Sequence, residues 1–187
     1  MKRTTAALTA LVGILLTGLH DVGASQQEPS ENTIVPGVRV GAFTFGMSKD
    51  EVLRRLGKPK GIFFAGERYT LNNLPRRYFM FFGDITFAMD DDSVKGITVN
   101  SPLYKFTNGL GVGDSEEKIK QAFGNDFQLE EAEGKDFLTY EDKGLHFEIH
   151  KKNRTAMEIT VNQTTGNHAD SDAPNSEKAI MLSEQSL

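Results

Sequence analysis

Apolar positions recur in two registers along this chain. Val52, Leu53 and Leu56 fall on one face of a short segment that opens at Ser48 and closes at Gly57. This spacing predicts an amphipathic helix of two turns. Ile119, Ala122 and Phe123 repeat the arrangement between Ser115 and Gly124. Elsewhere apolar and polar residues alternate, which predicts strands over 61–64, 77–82, 85–89 and 94–100, then 137–140, 145–150 and 156–162. The segment 34–41 has short β character, but Pro36 and Gly37 reduce it to an edge piece.

The helix ends are written in the local sequence. Ser48 and Glu51 form a capping box, and Met47 with Val52 has the spacing of a hydrophobic staple. Asp50 and Glu51 in the first turn, with Arg54 and Arg55 in the last, suit the helix dipole. Gly57 can end the helix and Pro59 forbids its resumption. In the second segment Lys118 stands where the box needs glutamate and Asp114 where the staple needs an apolar residue, so that start is expected to fray more. Neither helix is long enough to be stable unless docked.

Each helix is followed by a strand-rich stretch ending in similar words, Gly96-Ile97-Thr98-Val99-Asn100 and Glu158-Ile159-Thr160-Val161-Asn162. The expected fold class is therefore α+β, with two tandem repeats of a short helix and an antiparallel β-meander at 36–104 and 105–163. Lys2 and Arg3, the apolar run from Ala6 to Leu19, and small residues at Val22 and Ala24 read as a secretory signal over 1–24. That run is too short for a membrane span, so no stable span is expected after cleavage. Residues 25–35 read as a linker. From 164 to 187 the composition of Asn, Asp, Ser, Gly and Pro reads as a disordered tail, with a weak helical turn at Glu177–Leu182.

Pleat alternation locates a candidate surface. With Gly83-Asp84 as a two-residue hairpin loop, Tyr78, Met80 and Phe82 share a core face with Ile85, Phe87 and Met89. Phe79 and Phe81 then lie on the opposite face beside Thr86, Ala88 and Asp90, next to the cations Arg76 and Arg77. Two aromatics on a nominally wet face suit a protein-binding hot spot; cover by the other repeat or a loop is the structural alternative. The matching face of the second half carries Phe137, Thr139, His146, Glu148 and His150 and is more polar.

His146, Glu148 and His150 also offer three ligand types on one side of a strand, with Glu158 as a neighbour for zinc, although the alternation fits an ordinary half-buried strand as well. Asp90-Asp91-Asp92 lacks the oxygen spacing of a calcium loop and reads as a turn. The chain of 187 residues has a formal net charge of −5 and no cysteine, so disulfides, thiolate metal sites and cysteine nucleophiles are excluded and no nucleic-acid footprint appears. Basic groups (Arg54, Arg55, Lys58, Lys60, Arg76, Arg77) gather in the first half and acidic groups (Glu130, Glu131, Glu133, Asp136, Glu141, Asp142) in the second. No nucleophile elbow or phosphate loop is present, and Gly109-x-Gly111-x-Gly113 lacks the rest of a dinucleotide fingerprint. Asn153-Arg154-Thr155 and Asn162-Gln163-Thr164 are glycosylation sequons.

The helix words at 45–59 and 112–124, an apolar residue followed by Gly-Met-Ser, two polar residues, Glu-Val and Leu-Gly-x-Pro, resemble those of two families. One is the BamE (SmpA/OmlA) family of outer-membrane assembly lipoproteins and the other the β-lactamase inhibitory proteins. The chain has no lipobox cysteine and none of the inhibitor family's disulfides. The resemblance implies a non-enzymatic protein that binds another protein through a sheet face or its loops. The expectation is a secreted or periplasmic protein-binding module without cofactor, acting in envelope assembly or maintenance. Enzyme inhibition, or a metal-binding or enzymatic role for His146, Glu148 and His150, are the alternatives.

Overall fold

The computed structural model describes residues 31–164. The expected signal segment, most of the linker and the tail beyond Thr164 lie outside the described residues. Strands β1 (Thr33–Val35), β2 (Arg39–Val40) and β3 (Phe43–Thr44) come first, then helix α1 (Lys49–Leu56). Five strands follow: β4 (Gly61–Phe64), β5 (Glu67–Arg68), β6 (Arg77–Phe81), β7 (Ile85–Asp90) and β8 (Ser93–Val99). After β9 (Lys105–Phe106) and helix α2 (Glu116–Phe123) come β10 (Gln128–Glu131), β11 (Lys135–Tyr140), β12 (Leu145–His150) and β13 (Ala156–Asn162).

Nine of these strands form one antiparallel sheet in the order β10-β11-β12-β13-β8-β7-β6-β4-β5. The expectation of an α+β protein made of two helix-and-meander repeats is corrected here. The protein is mostly β, because the two similar strand words pair with one another: Ile159 faces Val99, Thr160 faces Thr98, Val161 faces Ile97 and Asn162 faces Gly96. An unpaired strand at the end of a meander leaves a row of backbone donors and acceptors open. Pairing β8 with β13 satisfies both rows and fuses the two halves into a continuous sheet. A second sheet, β3-β2-β1-β9, includes a parallel pair between β1 and β9. Its first strand uses the last residues of the expected linker.

Both helices form where their caps predict. Ser48 Oγ accepts from the Glu51 amide at 3.2 Å, and Ser115 Oγ from the Lys118 amide at 3.4 Å. The Glu51 carboxylate does not turn back to the Ser48 amide as a full capping box would; Arg55 and Arg54 hold it at 2.6 and 3.0 Å. Gly57 and Gly124 end the helices at φ 77° and 93°, where a side chain would be strained. The second helix start, expected to fray, is pinned by charge: Lys118 Nζ reaches Asp114 at 2.8 Å, and Glu116 is held by Lys120 and Arg154. Backbone bonds tie each start to a β-turn, Lys49 N to Asp92 O and Glu116 N to Arg154 O.

One face of the large sheet carries the core. Val52 of α1, Ile119 of α2, and Ile34, Val40 and Phe106 of the small sheet pack with Met80, Phe87, Ile97, Phe147 and Ile159 of the large one. Val52 and Ile119 are fully buried. Burying one such aliphatic side chain is worth about 1.5–3 kcal/mol, enough to dock helices too short to persist alone.

Candidate functional site

The candidate site is the other face of the nine-stranded sheet. Its composition follows from the pleat and from the register of strands distant in sequence. Phe81 faces Thr86, Thr86 faces Thr98, Thr98 faces Thr160, Thr160 faces His146, and His146 faces Thr139. This row crosses six strands and is polar on five of them, from Thr86 to Thr139. Phe63 pairs with Phe79 at one end of the face, and Phe137 pairs with Glu148 at the other.

The two-residue loop at Gly83-Asp84 forms as expected, with the Phe82 amide donating to Ile85 O at 3.0 Å. Phe79 and Phe81 therefore point away from the main core. Phe79 is nevertheless buried, at 6% exposure, and Phe81 is half-buried. Phe63 and Phe137 are buried too and stand outside the main core cluster. The Phe63 ring folds back over Gly61, whose missing side chain leaves it room; a Cβ there would sit 2.3 Å from the ring. The Arg68 guanidinium lies over the Phe63 ring at 5.6 Å, and the Lys135 ammonium lies over Phe137 at 5.1 Å. The face thus has aromatic side chains at both ends, each under a cation, and its second half is the more polar one, with Thr139, His146, Glu148 and Glu158 around Phe137.

Arg76 is exposed and held by Asp90 at 3.0 Å and Asp91 at 3.2 Å. Arg77 is half-buried, 3.5 Å from Asp90. Both therefore belong to an ion-pair cluster at the end of β6 and β7. Asp92 links elements instead of opening a cation loop: Tyr78 donates to it at 2.5 Å and Lys49 at 2.9 Å. Desolvation and this acceptor raise the Tyr78 hydroxyl, while Tyr78 and Lys49 hold the Asp92 carboxyl below its ordinary range.

The three ligand-type residues of β12 are drawn to different partners. His146 stacks on Phe137 at 5.2 Å and places Nδ1 2.8 Å from Thr139 Oγ1. Glu148 takes the Lys135 ammonium at 3.1 Å. His150 lies beyond a bulge at Glu148/Ile149, and its Nδ1 accepts from the Lys152 amide at 3.1 Å. Among the described residues no three His, Asp or Glu side chains gather as metal ligands.

The most perturbed group on this face is Glu158, which the sequence offered only as a neighbouring ligand for zinc. Glu158 lies directly across from Glu148. Burial, then the Glu148 charge, push its carboxyl up from 4.5 to about 8, against the opposing pull of Lys135. Glu158 therefore holds a proton at neutral pH while Glu148 pairs with Lys135. Beside them Thr98 and Thr160 share a buried hydrogen bond of 2.8 Å. The sequence places Glu158 beside this strand, but that it faces Glu148 depends on the β12–β13 register and its desolvation on the assembled sheet.

The two edges of the sheet are guarded. β5 has two residues, and β10 is fully exposed and carries Glu130 and Glu131. Short or charged edges discourage strand addition.

No family model matches the chain, and no curated protein matches it. Among solved structures it is similar to a DUF4309 family protein from Bacillus subtilis (15% identity, TM-score 0.43, covering 70% of this chain and 87% of that one). It is also similar to an extracellular protein containing an SCP domain from Bacillus anthracis (10% identity, TM-score 0.45, 76% and 54%). A third is a cysteine-rich secretory protein from Staphylococcus aureus (10% identity, TM-score 0.38, 70% and 48%). The chain spans about half the length of the last two. With a continuous sheet and two short helices, the fold corrects the resemblance to the BamE and β-lactamase inhibitory protein families, which rested on capping residues that any short docked helix needs.

Proposed function

We propose that this chain is a secreted, non-catalytic module that binds another protein through the outer face of its nine-stranded sheet. Secretion rests on the N-terminal sequence pattern. The observation that carries the binding role is the division of labour between the two faces. Both helices and the small sheet send their buried side chains into one face, while Phe63, Phe79, Phe81 and Phe137 stand on the other, outside that core. Phe81 is the accessible aromatic of this face; Phe63, Phe79 and Phe137 are buried and stiffen the surface around it, and Arg68, Lys135 and a threonine row give the polar surround that protein interfaces use. The polar groups of this face are mutually engaged (Lys135 with Glu148, His146 with Thr139, Thr98 with Thr160), which suits recognition better than proton transfer to a substrate.

The test is affinity capture from the cell-surface and secreted fractions of the source organism, followed by mass spectrometry. Thr86→Arg and Thr139→Arg place bulky charges in the row and should abolish capture of the specific partner. Lys95→Ala, at an exposed position in β8, should keep it. Identical capture by all of these proteins would refute a role for this face.

A further inference from the structure

A second site lies beside the first half of the sheet, where the segment after α1 meets the β4–β5 hairpin. Lys58, Lys60, Arg68, Tyr69, Thr70 and Asn72 line a cleft of about 600 Å³, a volume typical of small-molecule sites. Its charge is unusual for this molecule. Half of the basic side chains of the first half are matched with acids: Arg54 and Arg55 with Glu51, Lys49 with Asp92, Arg76 and Arg77 with Asp90. Lys58, Lys60 and Arg68 have no acidic partner among the described residues, and all three line the same cleft.

The cleft also holds its arginine in place. The Arg68 guanidinium lies 5.6 Å over the Phe63 ring, and its Nη2 donates to Lys60 O at 3.1 Å. These contacts fix the planar group and leave its other N–H donors unused. The nearby acid, Glu67, accepts from the Tyr69 hydroxyl at 3.0 Å and pairs across the hairpin with Phe64, so pleat alternation sends it to the opposite face from Arg68. Lys58, Lys60 and Arg68 line one cleft without an ion pair, and the carboxylate nearest that lining, Glu67, is engaged by the Tyr69 hydroxyl; an anion among the three cations relieves their mutual repulsion. An oriented guanidinium matches the two-oxygen edge of a phosphate or carboxylate, while ammonium groups act as point charges. Thr70 and Asn72 add neutral hydrogen-bonding groups suited to hydroxyls on the ligand's body.

We propose that this cleft binds a small oxyanion ligand, a phosphate or carboxylate carried on a polyol or sugar, with Arg68 as the oriented fork and Lys58 and Lys60 as its flanking charges. The cleft adjoins the protein-binding face and shares Arg68 with it, but Lys58 and Lys60 belong to the cleft alone, so their variants test it separately from that face.

The test is amide chemical-shift titration of the full chain at low ionic strength with inorganic phosphate, glycerol 2-phosphate and glucuronate. The expected result is saturable shifts confined to residues 58–72 with at least one of the two organic probes, weakening as salt rises. A response to glycerol 2-phosphate alone assigns a phosphorylated ligand, and a response to glucuronate alone a carboxylated one; both support the proposal. Arg68→Lys keeps the charge but loses the fork and should weaken binding about 5–10-fold. Lys58→Ala with Lys60→Ala, both exposed and free of ion pairs, should weaken it about 10-fold without touching the fold. Lys95→Ala and Lys152→Ala, exposed lysines elsewhere, should leave it unchanged. Lack of saturation with all probes, or equal losses in the cleft and control variants, would overturn the proposal.

Discussion

Replacing Glu158 by glutamine should remove most of the pH dependence of stability between mild acid and mild alkali. In the folded protein this carboxyl holds its proton up to about 8, against an ordinary value of 4.5. Between those two values the folded state binds a proton that the unfolded chain releases. Stability from this group is therefore complete below 4.5 and declines as pH rises through about 8. Each pKa unit is worth about 1.4 kcal/mol, so the full shift corresponds to about 5 kcal/mol. Water entering around an ionised Glu158, or Lys135 turning from Glu148 towards it, would lower the cost to about 2–3 kcal/mol. Glutamine matches the protonated acid in shape and hydrogen bonding. The variant should therefore equal the parent in stability near pH 5 and exceed it by about 2–5 kcal/mol near pH 9. Urea denaturation at several pH values, taken as the difference between the two proteins, cancels the histidines and other titrating groups common to both. Glu148→Gln should shrink the same slope by removing the neighbouring charge. Parallel stability curves for parent and Glu158→Gln would refute the protonated assignment.

Two other predictions address what holds the helices. Ser48→Ala removes the cap from α1 and should cost about 1 kcal/mol, read as a lower urea midpoint with an unchanged slope. Arg154 joins Asp136 on β11 to Glu116 on α2, and Asp136 Oδ1 already lacks a well-aligned partner, with Lys151 3.4 Å away. Arg154→Ala should therefore cost about 1–3 kcal/mol in chemical denaturation, and Arg154→Lys should rescue little because one ammonium cannot serve both acids. The partner charges keep the Asp136 and Glu116 carboxyls below their ordinary ranges, so in the parent this contribution is full at neutral pH and fades as acid protonates them; the alanine variant should show a flatter acid limb.

The sequence by itself determined the local structure. Ser48 and Ser115 set helix starts, Gly57 and Gly124 set their ends, Gly83-Asp84 set a hairpin, and period-two alternation separated Tyr78 and Met80 from Phe79 and Phe81. Each of these depends on residues within a few positions of one another, so its physics is visible in a short window. Tertiary structure decided how the halves combine. Two strands with nearly the same sequence could have ended two separate meanders, but they pair, and Thr98 meets Thr160 across 62 positions of chain. No local pattern records that meeting, because identical words fit an outer edge and a central strand equally well. The pairing of β4 with β6, which brings Phe63 beside Phe79, is likewise non-local, as is the parallel contact of β1 with β9. The same holds for charge. Lys58, Lys60 and Arg68 look no different in sequence from Arg54 or Arg76; only the folded chain leaves them without acids and gathers them in one cleft. Glu158 is one of 26 acidic residues, and it becomes the proton-holding one because assembly desolvates it, half-buried, opposite Glu148.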